Sequence, residues 1–269
     1  MPVGVLDSGI GGLSVLQDIQ KRLPREHLIF LADQANLPYG PRSLTEVQLF
    51  TEGITRFFLS QGVKLVVLAC NTASAAALYY LRSKFPDVPF VGMEPAIKPA
   101  ARDTKSGVIG VIATAATFQG QLYASLLDRF AHDIKVVTRP CPELVTLAER
   151  GNPWTETDIQ NVREMLSPII RARADQLVLG CTHFSFLKPV LQAAMTENVT
   201  IIDPAPAVAR QVERVLTEKH LLADKNQAGK TIYYTSGSAD HLRQQMNGLL
   251  GELQRDVREL RWQNGKLVV

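Results

Sequence analysis

Short runs of consecutive apolar residues recur along the chain. Val3–Leu6, Leu28–Leu31, Leu65–Ala69, Phe90–Met93, Val108–Ile112, Ile134–Val137, Leu177–Leu179, Val199–Ile202 and Thr231–Tyr234 each read as a strand. Most are unbroken rather than alternating, which is how a strand reads when helices cover both of its faces. The longer stretches Leu13–Leu23, Leu44–Leu59, Ala73–Phe85 and Glu156–Arg173 carry helical spacing. Ser43 followed by Glu46 opens the second of these with a capping box, and Pro24 and Pro86 stand just past helix ends. Such alternation predicts an α/β fold built on mainly parallel sheets flanked by helices.

The chain also echoes itself. Val3-Gly4-Val5-Leu6-Asp7-Ser8-Gly9 is similar to Ile109-Gly110-Val111-Ile112-Ala113-Thr114-Ala115, and Leu68-Ala69-Cys70-Asn71-Thr72 to Leu179-Gly180-Cys181-Thr182-His183. Gly92-Met93-Glu94-Pro95-Ala96 pairs in the same order with Ile201-Ile202-Asp203-Pro204-Ala205. The repeat predicts two similar lobes related by a pseudo-twofold axis: residues 1–94 with 207–269, and residues 95–206. No Ser/Gly linker separates them. The crossings fall at Glu94-Pro95 and Asp203-Pro204-Ala205-Pro206, where proline stiffens the turn. The helix and strand candidates after Pro206 have no counterpart in the repeat and are expected to complete the first lobe.

Composition narrows the class. With 46% hydrophobic residues and a net charge of only +3, the 269-residue chain can bury a core, which excludes a disordered protein. Three cysteines without tight pairing do not make a disulfide scaffold. The N-terminal residues lack a signal-peptide pattern, and no apolar run reaches the ~20 residues that span a bilayer, so a cytoplasmic globular protein is expected. No lysine/arginine run forms a stripe for nucleic acid.

Cys70 and Cys181 each follow an apolar strand and precede a predicted helix, at equivalent places in the repeat. Ligands of open parallel sheets bind beyond the carboxyl ends of the strands. Helix N–H groups there are expected to favour a thiolate. Two facing lobes would set the two thiols on opposite sides of one cleft. One thiol can remove a proton from a stereocentre while the other delivers a proton to the opposite face. Asp7 and Ser8 close the first strand and suit an ammonium and a carboxylate. A dinucleotide site using Asp33 is disfavoured because Ser14 stands where G-x-G-x-x-G needs its third glycine. Leu37-Pro38-Tyr39-Gly40 reads either as a plain Pro/Gly turn or as a binding loop whose backbone N–H groups meet a carboxylate. Cys70, Cys141, Cys181 and His183 lack zinc-site spacing, Cys141 reads as a small buried hydrophobe, and no lysine has an evident Schiff-base setting. His27, His132, His220 and His241 read as surface or structural residues.

These residues resemble the glutamate racemase family: GVLDSGIGG at 4–12, LPYG at 37–40, ACNTAS at 69–74, VGMEPA at 91–96, CPELVTLAERG at 141–151 and LGCTHF at 179–184. The resemblance implies cofactor- and metal-independent interconversion of L- and D-glutamate, supplying D-glutamate for peptidoglycan. It implies that Cys70 and Cys181 exchange the protons, with Asp7 and His183 as helpers and Glu149 as a further acid near the second cysteine. Substrate binding is implied for Asp7-Ser8, Tyr39-Gly40, Asn71-Thr72 and Thr182-His183, and a homodimer is common in the family. The chain departs from the usual pattern at Ala113, Thr146 and Arg150. It begins at its first strand, so activation through an N-terminal extension is not expected. A racemase or decarboxylase acting on aspartate, hydantoins or arylmalonates is the near alternative. A two-lobed protein that binds an acidic amino acid without chemistry is the distant one.

Overall fold

The computed structural model describes residues 1–195, 198–224, 226, 228–251 and 255–268. Among them the strands run in chain order as β1 (Val3–Asp7), β2 (Leu28–Ala32), β3 (Leu65–Leu68), β4 (Phe90–Gly92), β5 (Val108–Ala113), β6 (Lys135–Pro140), β7 (Gln176–Gly180), β8 (Thr200–Ile202), β9 (Thr231–Thr235), β10 (Val257–Glu259), β11 (Arg261–Gln263) and β12 (Lys266–Val268). One sheet has the order β10-β9-β2-β1-β3-β4 and the other β6-β5-β7-β8. Every pairing inside these two sheets is parallel; β11 and β12 form a separate antiparallel ribbon.

The sequence echo pairs β1 with β5, β3 with β7 and β4 with β8. The sheet orders set those strands in equivalent places, since β2-β1-β3-β4 and β6-β5-β7-β8 are one arrangement used twice. Both faces of the first sheet are buried. Val3, Val5, Phe30 and Val67 face the helices Leu13–Arg22, Ala205–Glu218 and Ala239–Leu250, while Leu6, Leu31, Val66 and Leu68 face Leu44–Ser60 and Asn71–Lys84. That two-sided burial is why these strands read as unbroken apolar runs. After β8 the chain returns to the first sheet: Ala205, Val208, Val212 and Leu216 of the next helix pack into its core. No helix among the described residues is long and apolar enough to cross a membrane.

The structure departs from the sequence reading in three places. The stretch Glu156–Arg173 is two helices, Glu156–Met165 and Ser167–Arg171, because Pro168 can open a helical turn but cannot continue one. The predicted strand at 134–137 extends to Pro140 and is largely exposed, as an edge strand can be. Strands β10 to β12 carry too few apolar positions to be read locally. Trp262 of β11 nevertheless docks on the first lobe, where a Cβ on Gly53 would come within 2.6 Å of its ring.

Two strand glycines repeat the same packing device. A Cβ on Gly4 of β1 would lie 2.6 Å from the Phe58 ring, and one on Gly110 of β5 would collide with Ile169. In each lobe a bulky helix residue thus lies directly on the backbone of the equivalent strand. Gly4→Val is expected to destabilise the fold by about 1–3 kcal/mol through overpacking, read as a lowered denaturation midpoint with an unchanged denaturant slope.

Candidate active site

The two thiols arrive on the equivalent strands β3 and β7. Cys70 caps the helix Asn71–Lys84; its Sγ accepts the Ala73 N–H at 3.5 Å and lies 3.9 Å from the Ser8 hydroxyl. Cys181 precedes a tight single turn, Thr182–Ser185, where the sequence suggested a helix. Its partner is His183, with Nδ1 3.8 Å from Sγ. Both thiols line one cavity of about 410 Å³. Ser8, Tyr39, Gly40, Thr72 and His183 line it too, and no lysine or arginine stands among its lining residues.

Behind that wall, contacts cross from one lobe to the other. Asp7 is fully buried; its Oδ1 accepts the Gly9 N–H at 2.8 Å and its Oδ2 the Thr182 hydroxyl at 2.9 Å. Burial pushes its carboxyl above the usual range, against the opposing pull of His183 and these two donors. His183 Nε2 lies 2.6 Å from Glu149 Oε1, which also accepts the Ile10 N–H at 3.1 Å. Burial works against charge on His183, yet its bonds to Cys181 and Glu149 hold the imidazole well above its ordinary value. Glu149 is held below the usual carboxylate range: burial opposes its charge, but the bonds from His183, Ile10 and Gln245 prevail.

The expectation of a favoured thiolate fails at Cys70. Burial first, and the Asp7 charge next, push this thiol up, outweighing the Ala73 N–H that lowers it. The reason is desolvation: one amide 3.5 Å away does not replace the water an anion would lose. Cys141 is buried in the second lobe's core, and desolvation raises it to about 12.

The structure brings the expected residues together with distinct placements. Asp7, Asn71 and Thr182 are buried next in sequence to the lining residues Ser8, Cys70 and Cys181 without lining the cavity themselves, and Glu149 is linked to it through His183. Both amide atoms of Asn71 are buried and have no hydrogen-bond partner among the described residues. Tyr39 lines the cavity, but its hydroxyl donates to Asp33 at 2.6 Å. Asp33 also accepts from Asn36, Ser236 and Trp262, so it serves as an internal brace rather than a ribose ligand. Sequence reasoning missed Thr114 and Thr117, whose hydroxyls lie 2.9 Å apart, with Thr72 2.9 Å from Thr114. The signal was present, because the echo aligns Thr114 with Ser8.

The glycine loop has a steric purpose. A Cβ on Gly9 would collide with Glu149, and one on Gly11 with Thr182, besides lying 2.6 Å from His183 Nδ1. Bare backbone lets the first lobe press against the second lobe's polar cluster.

Two repeated parallel-sheet lobes, each giving one cysteine to a shared cavity, define a two-lobed α/β protein with a paired-thiol site. The Asp/Glu/Hydantoin racemase family model matches residues 3–212. A glutamate racemase of Pseudomonas syringae pv. tomato is 49% identical over 243 residues, 89% of this chain and 87% of that protein. A glutamate racemase isoform from Bacillus anthracis has a similar structure, with a TM-score of 0.86, 36% identity and 98% of both chains covered. The Escherichia coli glutamate racemase, solved with L-glutamate and the activator UDP-MurNAc-ala, gives a TM-score of 0.83 at 31% identity, covering 100% of this chain and 99% of that one. The chain belongs to the Asp/Glu/Hydantoin racemase family, among its glutamate racemases.

Two outcomes follow from this geometry. Gly11→Ala should lower turnover roughly 10–100-fold by displacing Thr182 and His183, and should also lower the melting temperature, because the added methyl meets the His183 backbone nitrogen as well as the two side chains. Asp7→Asn removes a charge that raises the Cys70 thiol, so Cys70 alkylation at pH 8 should speed up about three- to tenfold, as read by peptide mass mapping.

Proposed function

We propose that the protein interconverts L- and D-glutamate by a two-base mechanism in the cytoplasm, supplying D-glutamate for peptidoglycan. The observation that carries this reading is the pair of thiols, delivered by equivalent strands of two lobes to one cavity. L-glutamate bound in the Escherichia coli relative supports the substrate.

Working from L-glutamate, the Cys181 thiolate takes the Cα proton and leaves a carbanion delocalised into the α-carboxylate. His183 holds the thiol proton when that thiolate forms, and Glu149 stabilises the resulting imidazolium, a reading that the 3.8 Å and 2.6 Å separations support. Cys70, kept protonated by burial and by Asp7, gives its proton to the opposite face. The enzyme is left with a Cys181 thiol and a Cys70 thiolate, the state that starts from D-glutamate. Asp7 keeps lone pairs free for the substrate ammonium, and its raised proton affinity suits it to pass a proton back to the Cys70 thiolate on resetting. Asn71, Thr72 and Thr182, with Ser8 and the Tyr39-Gly40 backbone, offer neutral hydrogen bonds to the two carboxylates. Residues 1–94 with 207–269, and residues 95–206, act as the two bodies that meet over the substrate.

The test is proton exchange followed by separation of the two faces. In D₂O, either enantiomer of glutamate should gain deuterium at Cα, whereas a protein that only binds an acidic amino acid incorporates none. L-Aspartate run alongside should stay unlabelled; faster labelling of aspartate would reassign the substrate. Cys70→Ser and Cys181→Ser should each lose racemisation. On glutamate carrying chloride at Cβ, where chloride departure replaces the second protonation, Cys70→Ser should retain elimination from the L-form and Cys181→Ser from the D-form. The same preference in both variants overturns the opposed-thiol mechanism.

A further inference from the structure

The helix Ala239–Leu250 has no counterpart in the second lobe, yet one of its side chains reaches across to the site there. Gln245 Nε2 donates to Glu149 Oε2 at 2.7 Å and to the Glu149 carbonyl at 3.1 Å. Gln245 Oε1 accepts from Gln34 Nε2 at 2.8 Å, and Gln34 Oε1 accepts from the Thr235 hydroxyl at 2.8 Å. Thr235 ends β9, so this series of bonds starts in the first sheet. It continues beyond Glu149 to His183 at 2.6 Å and from His183 to the Cys181 sulfur at 3.8 Å.

We propose that Gln245 is a positioning residue for the Cys181 half of the reaction, fixing Glu149, and through it His183, only while the two lobes are together. The inference rests on the two-thiol reading above. Glu149 Oε1 is already shared between His183 and the Ile10 N–H, so the direction of its carboxylate is set by what holds Oε2. Among the described residues Gln245 is that partner, and its second bond pins the Glu149 backbone as well. Beside the pair lies a cavity of about 270 Å³, bordered by Arg150, His241 and Gln244, into which an unheld carboxylate can swing. The donors Ile10 and Gln245 come from the first lobe and the acceptor from the second. Separation of the lobes therefore frees Glu149 and loosens His183 against Cys181. Cys70 has different partners, Ser8 and Ala73, and the series does not pass through it.

That asymmetry gives the test. Gln245→Leu keeps the side-chain volume and removes all three of its bonds, the two to Glu149 and the one from Gln34, while Gln244→Leu, on the neighbouring exposed position, serves as a control. Chloride release from the L- and D-forms of glutamate carrying chloride at Cβ is measured for both variants and the wild type. With Gln245→Leu, release from the L-form, which uses Cys181, should fall about tenfold, the scale of one lost bond to a charged group. Release from the D-form should stay within about twofold in the same protein, which shows that the variant is folded. Gln244→Leu should match the wild type on both. Equal loss on both forms, or no loss on either, overturns the role of Gln245. Failure of the underlying reading is separate: it appears as a shared stereochemical preference of Cys70→Ser and Cys181→Ser, with Gln245 intact.

Discussion

The loop after β1 meets the opposite lobe through bare backbone. Gly9 and Gly11 lie so close to Glu149, Thr182 and His183 that neither position has room for a methyl group. This contact lets Thr182 reach Asp7 and lets the Ile10 N–H reach Glu149. Without it the lobes would hold their polar residues on separate surfaces, and water would complete each group individually. The cavity, the orientation of His183 and the seclusion of both thiols all depend on how near those glycines allow the lobes to come.

Burial at that contact sets the electrostatics. Desolvation acts against charge on Asp7, Cys70 and His183, and each responds according to its partners. His183 keeps its proton because Glu149 and Cys181 face it. Cys70 has one amide, one hydroxyl and a nearby carboxylate, and stays protonated. The two thiols are therefore unlike in their resting environment, although the strands that carry them are equivalent. A reaction that needs a base on one face and an acid on the other is well served by such a difference.

The difference has a simple origin within the repeat. At the end of β1 stands Asp7, while the matching position of β5 is Ala113. Two residues after the first thiol stands Thr72, and two after the second stands His183. One lobe carries an ionisable residue on the first strand and the other carries one beside the cysteine. The lobes then exchange support: Thr182 of the second holds Asp7 of the first, and Ile10 and Gln245 of the first hold Glu149 of the second.

The alternation of apolar runs with helical spacing was enough to determine parallel sheets, because strands buried on both faces must be apolar throughout. The echo of β1, β3 and β4 in β5, β7 and β8 was enough to determine two lobes with matched thiols, because equal strands in equal order form equal sheets. Motifs at strand ends pointed to Asp7, Ser8, Cys70, Cys181 and His183 for the same reason: a strand's carboxyl end is where such a sheet presents its side chains. Tertiary structure alone decided what depends on distances between segments far apart in the chain. The high proton affinity of Cys70 comes from burial among segments far apart in the chain and from the nearby Asp7 charge, which no local pattern records. The engagement of Tyr39 and Asp33 in an internal brace, and the reach of Gln245 to Glu149, follow from how the C-terminal segments fold back onto the first sheet. Those segments are short, polar and unrepeated, so their role is visible only once the lobes are in contact.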